Sequence, residues 1–154
     1  MVNDNIKILV TYKKKNKIIE SDIIKPIQTG RAISDEIFEK MIGDNTGDNI
    51  SERNPYYSEL TAQYWAWKNY EKIGNPKYIG FMHYRRHFIF NNNSYETNSL
   101  GCVDFDNIND EYIKETNIYN SSEIENIIKD FDIIIPNRIE LKSITALKNK
   151  TPRD

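Results

Sequence analysis

The sequence predicts an α/β fold in which helices flank a mostly parallel sheet. Strand-like and helix-like segments alternate along the chain, which is the pattern of a parallel sheet with crossover connections. Short apolar runs at residues 6–11, 78–82 and 131–136 have the length and composition of buried strands. At 154 residues, the chain is long enough for one domain with a buried core.

The first predicted strand, residues 6–11, is apolar and rich in β-branched side chains. Thr11, Tyr12 and Lys13 stand at its carboxyl end and open a short lysine run. Such a run is typical of a solvated turn, although at the end of a strand it also suits one lip of a ligand site. Both interpretations stay open.

The next segments predict a second strand and a short helix. Residues 18–27 mix apolar and polar side chains and indicate a strand or an extended segment. Ser34 is placed to cap a helix that runs to Met41. Residues 43–51 then form a loop rich in turn residues, in which Asp44, Asp48 and Asn49 offer oxygen ligands for a cation or a ribose. The loop lacks the ligand spacing of an EF-hand.

The central helix is predicted to begin at Asn54 as the N-cap, with Pro55 in the first helical position. Aromatic and aliphatic side chains then recur every three or four residues, which predicts an amphipathic stripe at Tyr57, Leu60, Tyr64 and Trp67. Trp65 and Trp67 are expected to pack in the core or against a partner rather than on a sugar. Glu59 suits either a catalytic carboxylate or an acid stabilised by the helix dipole.

Ionisable residues follow the strand predicted at residues 78–82, which comes after a break at 74–76. Open α/β sheets bind ligands beyond the carboxyl ends of their strands, so His83, Arg85 and Arg86 are predicted to border a site. Arginine pairs phosphate oxygens bidentately, and histidine serves as a base, a hydrogen-bond donor or a metal ligand. A structural alternative is that one arginine pairs with Glu59 or Asp48.

The rest of the chain is predicted as a loop, a helix and a strand. Residues 91–101 indicate a loop that suits an acceptor-side lid, and the acidic residues at 104, 106 and 110 are expected to be solvated. Ser122 to Glu125 forms a capping box for a helix that ends near Asp130. Residues 131–136 are predicted to form a buried strand that Pro136 ends.

Composition excludes several classes of protein. The net charge of −2 argues against a broad nucleic-acid binder, and the single Cys102 excludes a disulfide framework or a cysteine metal site. Neither a signal peptide nor a membrane-spanning segment is predicted, so the expected location is cytoplasmic.

Several motifs together resemble the "domain of unknown function 4422" family. They are NISERN at 49–54, SELTA at 58–62, YWAWKN at 64–69, YIGF at 78–81 and HYRR at 83–86. Members of that family are regarded as glycosyltransferases of capsular and exopolysaccharide biosynthesis. The resemblance covers about the first ninety residues and residues 131–136. It implies a GT-A-like, Rossmann-like fold, incomplete at the C-terminus.

The resemblance also implies roles for individual residues. His83 and Glu59 are the catalytic candidates. The candidates for binding the nucleotide sugar are Thr11, Tyr12, Lys13, Asp44, Asp48, Asn49, Arg53, Asn54, Arg85 and Arg86. The family usually has Thr-His-Lys where this chain has Thr11-Tyr12-Lys13, so no histidine role carries over to that position.

The metal-binding Asp-x-Asp of GT-A enzymes is replaced here by His83-Tyr84-Arg85. We therefore expect no metal ligand and no cofactor, with Arg85 or Arg86 neutralising the diphosphate in place of a metal. A divalent metal at the acidic loop stays an alternative.

The implied function is transfer of a sugar from a nucleotide sugar, most simply a UDP-sugar, to a surface polysaccharide. The acceptor is a glycan or a lipid-linked glycan, which allows peripheral association with the inner face of the membrane. Residues 1–136 are expected to form the nucleotide-sugar-binding domain and residues 137–154 a polar tail. The alternatives are a truncated, non-catalytic remnant that binds nucleotide or a partner subunit, and a single-stranded nucleic-acid module that uses residues 84–88.

Overall fold

A computed structural model describes residues 5–91 and 93–136. Four parallel strands form one sheet in the order β3-β2-β1-β4. The strands are β1 (Ile6–Tyr12), β2 (Ile24–Gln28), β3 (Ile42–Gly43) and β4 (Tyr78–His83). The predicted parallel α/β fold is confirmed.

The sheet is built around β1, in which all seven residues are buried. Its register pairs Thr11 with His83 of β4 on one side and Tyr12 with Gln28 of β2 on the other. Because all pairs are parallel, the carboxyl ends of the four strands lie along one edge of the sheet. The polar residues that follow the strands therefore meet at that edge.

Four α-helices and three 3-10 turns connect and cover the strands. The helices are α1 (Asn54–Tyr57), α2 (Leu60–Lys68), α3 (Asp110–Thr116) and α4 (Ser121–Ile128). The 3-10 turns are Arg31–Ile33, Ser51–Arg53 and Tyr70–Ile73. No helix among the described residues has the length and apolar character needed to cross a membrane.

The central helix is divided rather than continuous. Ser58 has a φ of 49°, in the left-handed region, and this separates α1 from α2. Asn54, predicted as the N-cap, instead lies in the first turn of α1. Its side-chain amide donates to the Ser58 carbonyl (2.8 Å) and to the Thr61 hydroxyl (3.2 Å), so it stabilises the break.

Most side chains of the apolar stripe predicted for the central helix are exposed rather than buried. Leu60 and Trp67 are exposed, Trp67 by 68%, whereas the buried face holds small side chains beside Trp65. Small residues let the helix approach the sheet closely, and Trp65 then packs in one core cluster with Leu9 and Ile27. The Trp65 indole N–H donates to the Thr46 carbonyl at 2.9 Å.

No helix forms over residues 34–41, contrary to prediction. The buried side chain of Gln28 satisfies the backbone of this segment instead. Its amide nitrogen donates to the Glu36 carbonyl (2.7 Å), and its carbonyl oxygen accepts from the Phe38 N–H (2.9 Å). These bonds hold the segment in an irregular conformation.

The helix expected near residues 122–130 is confirmed as α4, but its cap lies two residues earlier. Asn120 accepts from the Glu123 N–H (3.2 Å), and its side-chain amide donates to the Glu123 carboxylate (3.0 Å). The cap is therefore reciprocal, but Glu123 accepts from the side chain of Asn120 and not from its backbone N–H, as it would in a capping box. Ile124 is buried in the second core cluster, on the β1 face that carries Ile8, Val10 and Tyr12.

The strand predicted at residues 131–136 is absent from the described chain. Phe131, Ile133 and Ile135 are exposed, Ile133 by 74%. This segment and residues Ile79 and Gly80 of the edge strand β4 line a common cavity of about 130 Å³. The composition suits a strand, but a strand requires a neighbouring backbone about 5 Å away to pair with, and residues 131–136 form no such pair with β4. The predicted tail at 137–154 lies outside the described residues.

Candidate functional site

The carboxyl edge of the sheet is tied together by backbone hydrogen bonds. The Tyr84 N–H donates to the Thr11 carbonyl (3.0 Å), and the Thr29 N–H donates to the Tyr12 carbonyl (2.9 Å). The Asp44 N–H donates to the Gln28 carbonyl (3.2 Å). Each strand end is thus fixed relative to the next, and the side chains at this edge rest on a rigid base.

A tight turn at residues 83–86 follows β4 and presents two arginines. The His83 N–H donates to the Arg86 carbonyl (3.1 Å), and the Arg86 N–H donates to the His83 carbonyl (2.9 Å). Arg85 and Arg86 are exposed, and within the described part of the chain neither makes a salt bridge. The structural alternative, in which an arginine pairs with Glu59 or Asp48, is therefore not what the structure shows.

The buried side chain of Tyr84 anchors this turn in the protein interior. Its ring is buried, stacks on Tyr12 with a centroid distance of 5.9 Å, and carries the Arg85 guanidinium 5.1 Å from its centroid. A cation over a tyrosine face is attracted by the ring quadrupole, which orients Arg85. Because Tyr84 is buried, its ring is not presented to a nucleic-acid base, against the nucleic-acid alternative.

The structure brings together the two catalytic candidates, His83 and Glu59. Glu59 lies just before α2, and its Oε1 is 3.5 Å from His83 Nε2. The side chains are 21% and 50% exposed, respectively. Burial lowers the pKa of His83; Glu59 opposes this effect, and Arg85 and Arg86 lower the pKa further.

Asp44 holds the loops behind this edge together. It is fully buried, and each of its oxygens accepts two hydrogen bonds. Oδ1 accepts from the Arg31 N–H (3.0 Å) and the Ser51 hydroxyl, while Oδ2 accepts from the Gly30 N–H (2.8 Å) and the Thr61 hydroxyl (2.6 Å). With both oxygens occupied inside the protein, Asp44 is not presented to a ligand here.

Gly30 meets a steric requirement beside Asp44. Its φ of 64° lies in the left-handed region, and a Cβ at this position would stand 2.7 Å from Asn54 Cβ. Only glycine satisfies both conditions without strain. The turn therefore aims two consecutive N–H groups at the Asp44 carboxylate.

The other predicted ligand residues divide into buried and exposed groups. Tyr12 is buried, and its hydroxyl accepts from the Ile19 N–H (3.0 Å) and donates to the Lys17 carbonyl (3.2 Å). Thr11 donates to the Met82 carbonyl (3.1 Å), and Asn54 is buried at the helix break. These three side chains shape the edge from within.

Four predicted ligand residues retain accessible surface. Lys13 and Arg53 are exposed. Asp48 pairs with Lys68 at 3.7 Å, and Asn49 donates to the Gly47 carbonyl (2.9 Å). Their ligand roles stay predictions.

Sequence reasoning missed the polar residues that build the framework, namely Gln28, Ser51 and Thr61. Gln28 ends β2, and Ser51 begins a 3-10 turn. A polar residue is common at such positions, so the sequence alone does not reveal that these two are buried. Thr61 had one available signal, because it shares the small-residue face of α2 with Ala62.

The donor set at the turn does not fit a hard divalent cation. Such ions need several oxygen ligands, whereas the carboxylate of Glu59 stands here with an imidazole and two guanidinium groups. Among the residues the structure describes, no cluster of three or more His, Cys, Asp or Glu side chains is arranged to hold a metal ion.

Comparison with known proteins agrees with this architecture. The sequence model of the family described as "domain of unknown function (DUF4422)" matches residues 7–151. The chain belongs to this family. The match covers nearly the whole chain, including much of the region beyond the described residues.

A solved structure, the apo form of the bifunctional glycosyltransferase WbbM, has a similar fold. It shares 38% sequence identity with this DUF4422 chain, and the TM-score is 0.78. The similarity covers 86% of this chain but 22% of the WbbM chain. A search of curated proteins gives no match. The DUF4422 chain thus has a glycosyltransferase-like fold and spans about a fifth of that larger protein.

Proposed function

We propose that this domain binds the diphosphate of a nucleotide sugar at the turn of residues 83–86 and transfers the sugar to a surface polysaccharide. The observation that carries the proposal is the position of Arg85 and Arg86. Both guanidinium groups are exposed at the carboxyl edge of a parallel sheet, and neither is neutralised by a described carboxylate. Family membership and the fold shared with a glycosyltransferase support it.

Arginine suits this role because its planar fork donates two parallel hydrogen bonds to phosphate oxygens and stays protonated. Negative charge grows on the leaving diphosphate as the bond to the sugar breaks. A fixed guanidinium lowers the energy of that state without any rearrangement. The stacking of Arg85 on Tyr84 supplies part of this preorganisation.

The proposed donor is a UDP-sugar, and the proposed acceptor is a glycan or a lipid-linked glycan. A lipid-linked acceptor would place the protein at the inner face of the membrane without a membrane span. His83 belongs to the turn that carries the arginines, and Glu59 lies 3.5 Å from it, so in this proposal a group that accepts the hydroxyl proton of the acceptor is near the bound diphosphate. In this proposal the two guanidinium groups, in place of a metal ion, neutralise the negative charge of the diphosphate.

A thermal-shift experiment tests donor binding. The intact protein is heated with UDP, GDP, UDP-glucose, UDP-galactose and UDP-N-acetylglucosamine, each with EDTA or Mn²⁺. A ligand at about 100 times its Kd stabilises the native state by about 2.7 kcal/mol, which raises Tm by about 5–10 °C in a domain of this size. We expect a shift with at least one UDP compound in EDTA.

The arginine variants locate the site. Arg85→Ala and Arg86→Ala are expected to reduce the shift strongly, whereas Lys129→Ala, which removes one exposed positive charge just after α4, leaves the shift intact. A shift that appears only with Mn²⁺ would refute the arginine clamp and favour the loop at Asp48. No shift with any nucleotide would refute donor binding.

A further inference from the structure

The two ring nitrogens of His83 face different partners. The Arg85 backbone N–H donates to Nδ1 at 3.2 Å, within the turn that follows β4. A ring nitrogen accepts a hydrogen bond only when it carries no proton, so neutral His83 holds its proton on Nε2. Nε2 lies 3.5 Å from Glu59 Oε1, so the carboxylate is the group near this N–H.

This arrangement leaves neutral His83 without a free lone pair. Nδ1 is occupied by the Arg85 N–H, and Nε2 carries the proton. Burial lowers the pKa of the ring, against the opposing effect of Glu59, and Arg85 and Arg86 act in the same direction as burial, which favours the neutral form of His83. Neutral His83 therefore offers an N–H near Glu59 and no free lone pair to a substrate.

Glu59 has the properties that His83 lacks. Its side chain is 50% exposed, and within the described chain its second oxygen, Oε2, has no hydrogen-bond partner. The break at Ser58 places it beside the turn, and His83 restrains its first oxygen. One carboxylate oxygen thus lies beside His83, while the other, on a half-exposed side chain, has no hydrogen-bond partner among the described residues.

We propose that Glu59 is the proton acceptor for the attacking hydroxyl and that His83 is a positioning residue that acts through Glu59. This rests on the proposed function. The acceptor O–H bond breaks, its proton goes to Glu59 Oε2, and the oxygen forms a bond to the anomeric carbon. The bond from that carbon to the diphosphate oxygen breaks, and its electron pair leaves on the diphosphate beside Arg85 and Arg86. This displacement inverts the anomeric centre.

The first test is the tautomer of His83. The chain has two histidines, so long-range ¹H–¹⁵N spectra of ¹⁵N-histidine protein contain two ring systems, and His87→Gln assigns them. We expect the Nε2–H form of His83 at pH 8, and in Glu59→Gln a His83 pKa below that of the wild type, because the opposing carboxylate is gone. An Nδ1–H tautomer, or a pKa unchanged in Glu59→Gln, would overturn the proposed contact.

The second test is kinetic and uses the UDP-sugars named above with a polysaccharide acceptor. Glu59→Gln is expected to lower kcat by about 10²–10⁴-fold with little change in KM. His83→Gln keeps an N–H donor but offers no base, so it should retain activity within about tenfold of the wild type, while His83→Ala loses more.

The outcomes separate this inference from the proposed function. If His83→Gln and His83→Ala lose activity equally, His83 is itself the base and the inference is wrong. Donor binding with wild-type transfer by Glu59→Gln would also overturn it, while donor binding at the arginines would stand. Donor binding by the intact protein without turnover would refute both the proton-acceptor role and the transfer reaction.

Discussion

Replacing Asp44 by Asn should destabilise the protein far more than its small change in shape suggests. The carboxylate accepts four hydrogen bonds, from two backbone N–H groups and two hydroxyls. Asparagine keeps one accepting oxygen and turns an NH₂ group toward one N–H and one hydroxyl. The hydroxyl of Ser51 or Thr61 can rotate to accept, but the backbone N–H cannot.

The expected cost follows from that count. One buried, unsatisfied N–H costs about 1–3 kcal/mol, and the remaining bonds lose the extra strength of a charged acceptor. We therefore expect Asp44→Asn to lower the free energy of unfolding by about 2–4 kcal/mol. In a domain of this size that corresponds to a fall in Tm of about 4–16 °C.

Urea unfolding followed by tryptophan fluorescence measures this change. Asp48→Asn is the matched control, because Asp48 belongs to the same loop but its side chain is 56% exposed. Its carboxylate pairs with Lys68 at 3.7 Å. Exposed pairs contribute less than about 1 kcal/mol. If Asp44→Asn cost no more than Asp48→Asn, the buried hydrogen-bond network would not be the element that holds these loops.

Two further predictions concern His87 and Gly30. Burial lowers the pKa of His87 to about 4 in the native state. Between pH 6.5 and 4, the unfolded chain therefore binds a proton at this residue that the native state does not bind. Its contribution to the free energy of unfolding should fall by about 2 kcal/mol from pH 7 to pH 5, and urea titrations of His87→Gln should show a shallower fall than the wild type. An equal slope would contradict the assignment. Gly30→Ala should cost at least about 2 kcal/mol, because the methyl group meets Asn54 at a φ of 64°, whereas Gly74→Ala, at a φ of 89° with open space around it, should cost about 1 kcal/mol. Equal costs in urea unfolding would show that the contact with Asn54 is unimportant.

The misplaced aromatic stripe of α2 shows where sequence reasoning fails. Spacing identifies a face of the helix, but not which face is buried. Here Thr61, Ala62 and Ala66 face the sheet because close approach favours small side chains, and Trp65 fills the remaining space. Trp67 remains exposed and instead carries the Lys68 ammonium 4.2 Å from its ring centroid.

The missing strand at residues 131–136 has a similar cause. An apolar run is a necessary feature of a buried strand, but hydrogen bonding to a neighbour makes it one. In the described chain β4 is the edge of the sheet, and Phe131 and β4 line a cavity without pairing. Composition alone cannot show how far apart two segments lie.

By itself the sequence determined the parallel α/β class, the strands β1 and β4, and the position of residues 83–86 beyond the carboxyl end of β4. These features are local, because apolar β-branched runs form strands and the polar residues that follow them must lie at the sheet edge. Only the tertiary structure decided that Glu59 meets His83 and that Asp44 is buried under four donors. Both depend on turns at Ser58 and Gly30 that bring together residues distant in the chain, and contacts of that kind are fixed by packing rather than by local pattern.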